Sequence, residues 1–387
     1  MTASTTANAC IHRTAMSGLG PYSAPRAGVE QTLTRLWCES FGMDQVGIDD
    51  DFFALGGTSI QAVHLFDAIE KECQRRLPLA LLYEAPTIRS LARLLGDENR
   101  PAPAGRCLVR IEAGNDDGPP LFLVPGMGGN VVGLAHLGRE LATEGPVFGL
   151  QSPGLEGRDA PLHDLREIAA RYLDEIRNLG HDRPPRLLGI CWGALVALEM
   201  AQQLTRGGEA VGSLLMMDPP PPGHPGPAWP GHLQHGIALP RFVASRLSLY
   251  WRSLRALPPE ERRRYLRERV RVVQDIVRRR DIFRGDRSEF ARREVTAANA
   301  SAARHYVPQP FDAGAYLLFT ADRPDGRSRR YRAYWQDLVA AGHAPRFVPG
   351  HDTGEAIAPE RAAIVAATVR ECLRPNGRET PVGQSGR

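Results

Sequence analysis

Residues 186–200, RLLGICWGALVALEM, constrain the fold of this chain more than any other stretch. A short apolar run meets a turn flanked by Gly189 and Gly193, and a helix-like apolar repeat follows at once. A G-x-S-x-G turn between strand and helix lifts its middle residue above the C-terminal edge of a sheet, where a nucleophile sits. Here the middle residue is Cys191. A strand feeding directly into a helix belongs to an α/β architecture, and the rest of this half agrees. Short apolar runs at 121–124, 147–150, 187–190, 213–217 and 315–319 alternate with helix-like stretches, predicting a largely parallel sheet covered by helices on both faces.

Earlier in the chain the period changes. Val29, Leu33, Leu36 and Phe41 recur at helical spacing, as do Ile60, Val63, Phe66, Ile69 and Cys73, and then Ile88, Leu91 and Leu95. That predicts a small helical bundle with a long loop over 43–58. The switch falls at GDENRPAPAGR, residues 96–106, a polar, proline- and glycine-bearing linker. The predicted organisation is a flexible tail over 1–27, a helical domain over 28–97, a linker over 98–106, an α/β domain over 107–374 and a second tail over 375–387. Between Asp218 and Ala315 no strand is apparent. A proline-rich opening there gives way to arginine-rich helical sequence, and an insertion of that size reads as a lid over about 219–305.

Composition narrows the function classes. The six cysteines are scattered, with no CxxC pair and no His/Cys cluster at zinc spacing, which argues against a structural metal and fits a reducing compartment. No apolar run approaches a membrane span, and the first residues lack the apolar core of a signal peptide. A cytoplasmic location is therefore expected. A formal charge of +4 over 387 residues is too mild to argue for nucleic acid. The clusters Arg262-Arg263-Arg264 and Arg278-Arg279-Arg280 are interspersed with acids, and solubility or docking of an acidic partner domain explains them with fewer assumptions than a nucleic-acid patch.

A nucleophile at an elbow needs a base, an acid to orient that base, and donors for the oxyanion. The strand after the elbow's helix ends in Asp218, and Asp322 after the next strand is a rival acid. His351 stands in a loop after RFV, so the order nucleophile, acid, histidine is that of α/β-hydrolases. In the first half, DDDFFALGGTSIQAV places Ser59 after two glycines at the start of an amphipathic helix. Thr58 or Ser59 could simply cap that helix. A serine exposed at a helix N-terminus also suits an attached phosphodiester, because the dipole there is positive.

Residues 28–97 resemble the peptidyl carrier domains of nonribosomal peptide synthetases, through PRAGVEQTLTRLW, VGIDDDFFALGGTSI and YEAPTIRSLARLL. The resemblance implies a four-helix carrier bundle in which Ser59 carries 4′-phosphopantetheine, whose thiol holds the acyl substrate as a thioester. Residues from about 107 to 374 resemble the type I thioesterase domain of such synthetases, through LFLVPGMGGNVVGLAHLGREL, VFGLQSPGL, the elbow, LLMMD and HYVPQPFDAGAYLLFTA. That resemblance implies an α/β-hydrolase domain with a helical lid insertion, and an oxyanion hole from backbone N–H groups of Gly126 or Met127 and of Trp192. The partners it implies are upstream condensation and adenylation domains, a phosphopantetheinyl transferase and a peptidyl thioester substrate.

Two departures from the family pattern matter. The family usually has one residue between the glycine and histidine of its last loop, whereas Gly350 and His351 are adjacent. That register puts Asp352 at the histidine position, yet only an imidazole shuttles a proton at neutral pH. The other departure is Cys191 itself, since a helix N-terminus beside an imidazole lowers a thiol pKa. Transfer of an acyl group from a pantetheine thiol to serine lowers its energy, while transfer to cysteine is nearly neutral and keeps it activated. Hydrolysis gains little from this; closure of a strained ring gains much. Within the family, cysteine thioesterases are associated with four-membered β-lactone and β-lactam products. The expectation is a Cys191–His351–Asp218 enzyme that releases its chain by cyclisation. Plain hydrolysis, acyl transfer to another carrier, and a non-catalytic docking module are the competing readings.

Overall fold

The computed structural model describes residues 12–13, 19–75, 77–96, 107–115, 118–156, 159–221, 287–311, 313–321, 327–339 and 343–374. Two compact units divide between Ala104 and Gly105. The two arginine clusters, Asp322, residues 97–106, both chain ends and the part of the expected lid over 222–286 lie outside the described residues.

The first unit contains α1 (Val29–Phe41), α2 (Ser59–Cys73), α3 (Leu81–Glu84) and α4 (Ile88–Gly96). Of the apolar positions read from the sequence, Leu33 and Leu36 on α1, Phe66 and Ile69 on α2, and Ile88, Leu91 and Leu95 on α4 are buried, while Phe41, Val63 and Cys73 are half-buried and Val29, at the start of α1, is exposed. Sequence periodicity missed α3, which at four residues is too short to show a repeat. The long loop between α1 and α2 is held from inside. Phe52 and Phe53 are buried, with Phe52 edge-on to Trp37 and Phe53 stacked on Tyr83. A Cβ on Gly57 would sit 2.3 Å from the Phe52 ring, so the glycine turn and the aromatic pair form one packed piece. The structure also extends this unit toward the N-terminus. Within the stretch assigned to a flexible tail, Arg13 forms an ion pair with the buried Asp50, and the Ile48 N–H donates to the Ser23 carbonyl at 3.0 Å. Asp50 is a buried carboxylate, and a burial of that kind requires a cationic partner.

The second unit is a seven-stranded sheet with its strands in the order β1-β3-β2-β4-β5-β6-β7 among the described residues. The strands are β1 (Leu108–Glu112), β2 (Leu121–Val124), β3 (Val147–Leu150), β4 (Arg186–Ile190), β5 (Ser213–Met217), β6 (Tyr316–Thr320) and β7 (Arg346–Val348). All neighbours are parallel except β1, which runs antiparallel to β3. β2 and β3 are buried along their whole length, as a sheet covered on both faces requires. β1 was not legible as a strand: it is short, half-polar and at an edge. Helices α5 (Ala135–Leu141), α6 (Leu165–Arg177), α7 (Trp192–Arg206), α8 (Arg287–His305), α9 (Arg327–Val339), α10 (Thr353–Ala356) and α11 (Pro359–Leu373) complete the unit. α8 belongs to the stretch expected to be a lid, and its Ala291, Val295, Ala298 and Ala302 are buried. This is the α/β-hydrolase arrangement, preceded by a helical unit.

Candidate active site and carrier serine

β4 delivers the chain to the elbow. Ile190 pairs with Met217, and the Cys191 N–H donates to the Met217 carbonyl at 2.8 Å, so the ladder runs on into the turn. Cys191 then adopts φ +54° and ψ −118°, a conformation that strains any residue with a side chain. Trp192 opens α7 immediately afterwards. The turn closes because its flanking residues lack side chains. A Cβ on Gly189 would lie 2.4 Å from Ala194 Cα, and one on Gly193 would lie 2.3 Å from the Val124 carbonyl oxygen. Strand, helix and neighbouring β2 thus meet at backbone contact, and the half-buried Cys191 is held at the top of the sheet.

The next strand over, β5, leads directly into Asp218, which is buried and has φ +46°. Its N–H donates to the Leu318 carbonyl at 2.8 Å. Thr320, at the end of β6, grips both carboxylate oxygens: its N–H donates to Oδ1 at 3.0 Å and its hydroxyl to Oδ2 at 2.9 Å. Sequence reasoning did not single out Thr320; the one available signal was a hydroxyl residue closing the strand beside the acid's own.

β7 leads through Gly350 into His351, which is exposed. The His351 N–H donates to Glu355 Oε2 at 2.8 Å, and Arg361 pairs with the same carboxylate. Together these two hold the Glu355 carboxyl below its ordinary range. Asp352 caps α10, accepting from the Glu355 N–H at 2.9 Å. The adjacent acid is therefore occupied with the helix start, and the imidazole stands at the head of the loop. Cys191, Asp218 and His351 follow β4, β5 and β7 at one edge of a single sheet.

The loop after β2 reaches the same place. A Cβ on Gly126 would lie 3.9 Å from that of Cys191, so the Gly126–Met127 peptide runs alongside the nucleophile position. The Gly126 carbonyl accepts the Gly129 N–H at 2.9 Å, which fixes the plane of that peptide. Carbonyl and N–H are antiparallel in a trans peptide, so the Met127 N–H points out of the turn. It has no acceptor among the described residues. Trp192, as the first residue of α7, likewise has an N–H with no acceptor within its helix.

In the first unit the capping question has a definite answer. Thr58 is the N-cap of α2, and its side chain forms a reciprocal capping box with Gln61. Ser59, one residue on, is half-buried, and its hydroxyl makes no hydrogen bond among the described residues. A hydroxyl left over at the positive end of a 15-residue helix fits a phosphodiester, whose charge the first-turn N–H groups favour.

The thioesterase-domain family matches residues 119–372. The chain belongs to that family. Its first unit matches the phosphopantetheine attachment site over residues 31–95, so 4′-phosphopantetheine is its covalent cofactor. Among curated relatives, indigoidine synthase of Dickeya dadantii (strain 3937) is 35% identical over 199 residues, covering 51% of this chain and 13% of that protein. A dimodular nonribosomal peptide synthase of Bacillus subtilis (strain 168) is 36% identical over 204 residues, 53% of this chain and 8% of the relative. The chain thus spans a small fraction of the length of these relatives. A solved four-domain nonribosomal peptide synthetase, in its holo form with AMP and glycine bound, superposes with a TM-score of 0.52 at 25% identity, covering 92% of this chain and 27% of that one. No described helix is long and apolar enough to cross a membrane.

Proposed function

We propose that this carrier–thioesterase pair releases the product of a nonribosomal peptide synthetase through an acyl-enzyme on Cys191. The observation that carries the reading is the strained, glycine-flanked elbow after β4, with Asp218 after β5 and the His351 loop after β7 at the same edge of the sheet. Ser59 is the attachment point of the cofactor, which supplies a thiol that presents the acyl chain as a thioester. His351 accepts the Cys191 thiol proton while Sγ bonds to the acyl carbon, and it returns that proton to the carrier thiol as the old acyl–sulfur bond breaks; Asp218 orients the imidazole from the far side. The N–H groups of Met127 and Trp192 receive the oxyanion, with Gly126 leaving room for it beside Cys191. Upstream synthetase domains supply the peptidyl chain, and a phosphopantetheinyl transferase must first modify Ser59.

The thiol decides the mode of release. A Cys191 thioester is as activated as the one it replaces, so we assign the second step to an internal nucleophile of the bound chain, closing a ring that is strained, of the β-lactam or β-lactone kind. Hydrolysis is the competing outcome. Cys191→Ser should still accept the chain, because His351 can deprotonate a hydroxyl, but its oxoester should stall or yield linear acid. Cys191→Ala should leave the chain on the Ser59 cofactor. Product masses from the three proteins, on one carrier-loaded substrate, make the test. A serine variant giving the same ring at a similar rate would make the thiol incidental, and chain transfer in the alanine variant would remove Cys191 from the reaction.

A further inference from the structure

α8, at the C-terminal end of the insertion, reaches the loop after β2, and its side chains hold the turn on which the oxyanion would rest. Asn299 is buried, and its amide nitrogen donates twice: to the Met127 carbonyl at 2.9 Å and to Ser152 Oγ at 3.0 Å. Both partners are remote in the chain, 172 and 147 residues away. Ser152 is itself tied to the same turn, its N–H donating to the Gly129 carbonyl at 2.8 Å. One helical turn earlier, Val295 packs against that turn, since a Cβ on Gly129 would meet Val295 Cγ1 at 3.2 Å. The turn over 126–129 is therefore held by its internal bond, by Ser152 and by the Val295–Asn299 face of α8.

We infer that Asn299 is a positioning residue that couples α8 to the oxyanion donors, so that Met127 presents its N–H only while α8 is docked. The inference rests on the proposed acyl transfer to Cys191. An N–H that must point at a developing charge gains its value from being fixed before the charge appears. The Gly126 carbonyl fixes one end of the Met127 residue and Asn299 fixes the carbonyl at the other. Releasing that carbonyl frees the loop to rotate, and displacement by about 1 Å can cost about 10²-fold in rate. Asn299→Asp is nearly isosteric and can still accept from Ser152, but it sets a carboxylate oxygen against the Met127 carbonyl.

Two reactions of the same sulfur separate positioning from structure. Acylation by p-nitrophenyl butyrate forms a bond from Cys191 Sγ to the acyl carbon, passes through an oxyanion, and expels p-nitrophenolate with its electron pair as the thiol proton goes to His351. Alkylation by iodoacetamide displaces iodide at a saturated carbon and forms no oxyanion. In the full-length chain, Asn299→Asp should slow the p-nitrophenolate burst by about 10²-fold while Cys191 alkylation, followed by peptide mass, stays within about twofold. If that variant melts early, Asn299→Ala, which frees the Met127 carbonyl without repulsion, is measured in the same pair of reactions. A burst as fast as the parent's in a folded variant overturns the inference alone, and so does an equal loss in both reactions. A parent chain that gives no more burst than Cys191→Ala overturns the acyl-transfer reading beneath it.

Discussion

Desolvation pushes the Cys107 thiol up to about 12, with the Glu175 carboxylate adding to it, and burial likewise takes the Cys372 thiol to about 11. These two behave as small core hydrophobes. Cys191 differs in backbone, exposure and neighbours: it is half-buried, strained and followed directly by a helix N-terminus. The proposed acid is Asp218. Asp218 has both carboxylate oxygens gripped by Thr320, which leaves the carboxylate one orientation along the strand ends. Asp218→Asn should therefore lower turnover by about 10⁴-fold, the loss typical of a triad acid. Thr320→Val, which keeps the backbone bond and the shape but removes the hydroxyl, should lower it far less while also costing about 1 kcal/mol of stability. Steady-state rates and thermal melts of the two variants check this. A mild Asp218→Asn would move the acid elsewhere.

At the scale of elements, Ser59, Cys191 and His351 stand at or just before helix starts. α2 begins with a Thr58–Gln61 box and α10 with Asp352, so in both places the cap falls to one side chain and not to its neighbour, Ser59 or His351. The division of labour is testable in the carrier unit. Thr58→Ala should destabilise α2 by about 1 kcal/mol and still accept one phosphopantetheine from coenzyme A and a transferase. Ser59→Ala should keep the cap and accept none. Intact mass reads the modification and hydrogen exchange reads the helix; a pantetheine mass on Ser59→Ala would sink the assignment. β1 shows the opposite limit of local information, and β7, though read as a strand before His351, is shorter still. Five and three residues long, they are strands because β3 and β6 offer free edges, not because their own sequences insist on it.

For the molecule as a whole, the two units should answer acid separately. In the carrier unit Arg89 binds both oxygens of Asp49 and holds its carboxyl down to about 2. A depressed carboxylate contributes stability above its unfolded value, and that contribution is lost as pH falls through the folded one. The pair is partly solvent-exposed, so the effect is small. Asp49→Asn should lower hydrogen-exchange protection of α1 and α4 at neutral pH, match the parent near pH 2, and leave the β-sheet unit unchanged at both. Loss of protection that persists equally at low pH would assign Asp49 a role other than charge pairing. The sequence by itself determined the helical and α/β halves, the switch of period between them, the elbow at Cys191 and the serine after the double glycine, because periodicity and turn chemistry act over a few residues. It left Thr58 and Ser59 interchangeable as caps, and Asp352 open as a rival to His351. The cap itself falls to Thr58 through its bond to Gln61, three residues on, whereas the grips of Thr320 on Asp218 and of Asn299 on the Met127 loop were decided only by tertiary structure. They join residues 102 and 172 positions apart, which meet because parallel strands lay their ends side by side and a helix from a distant insertion packs across them.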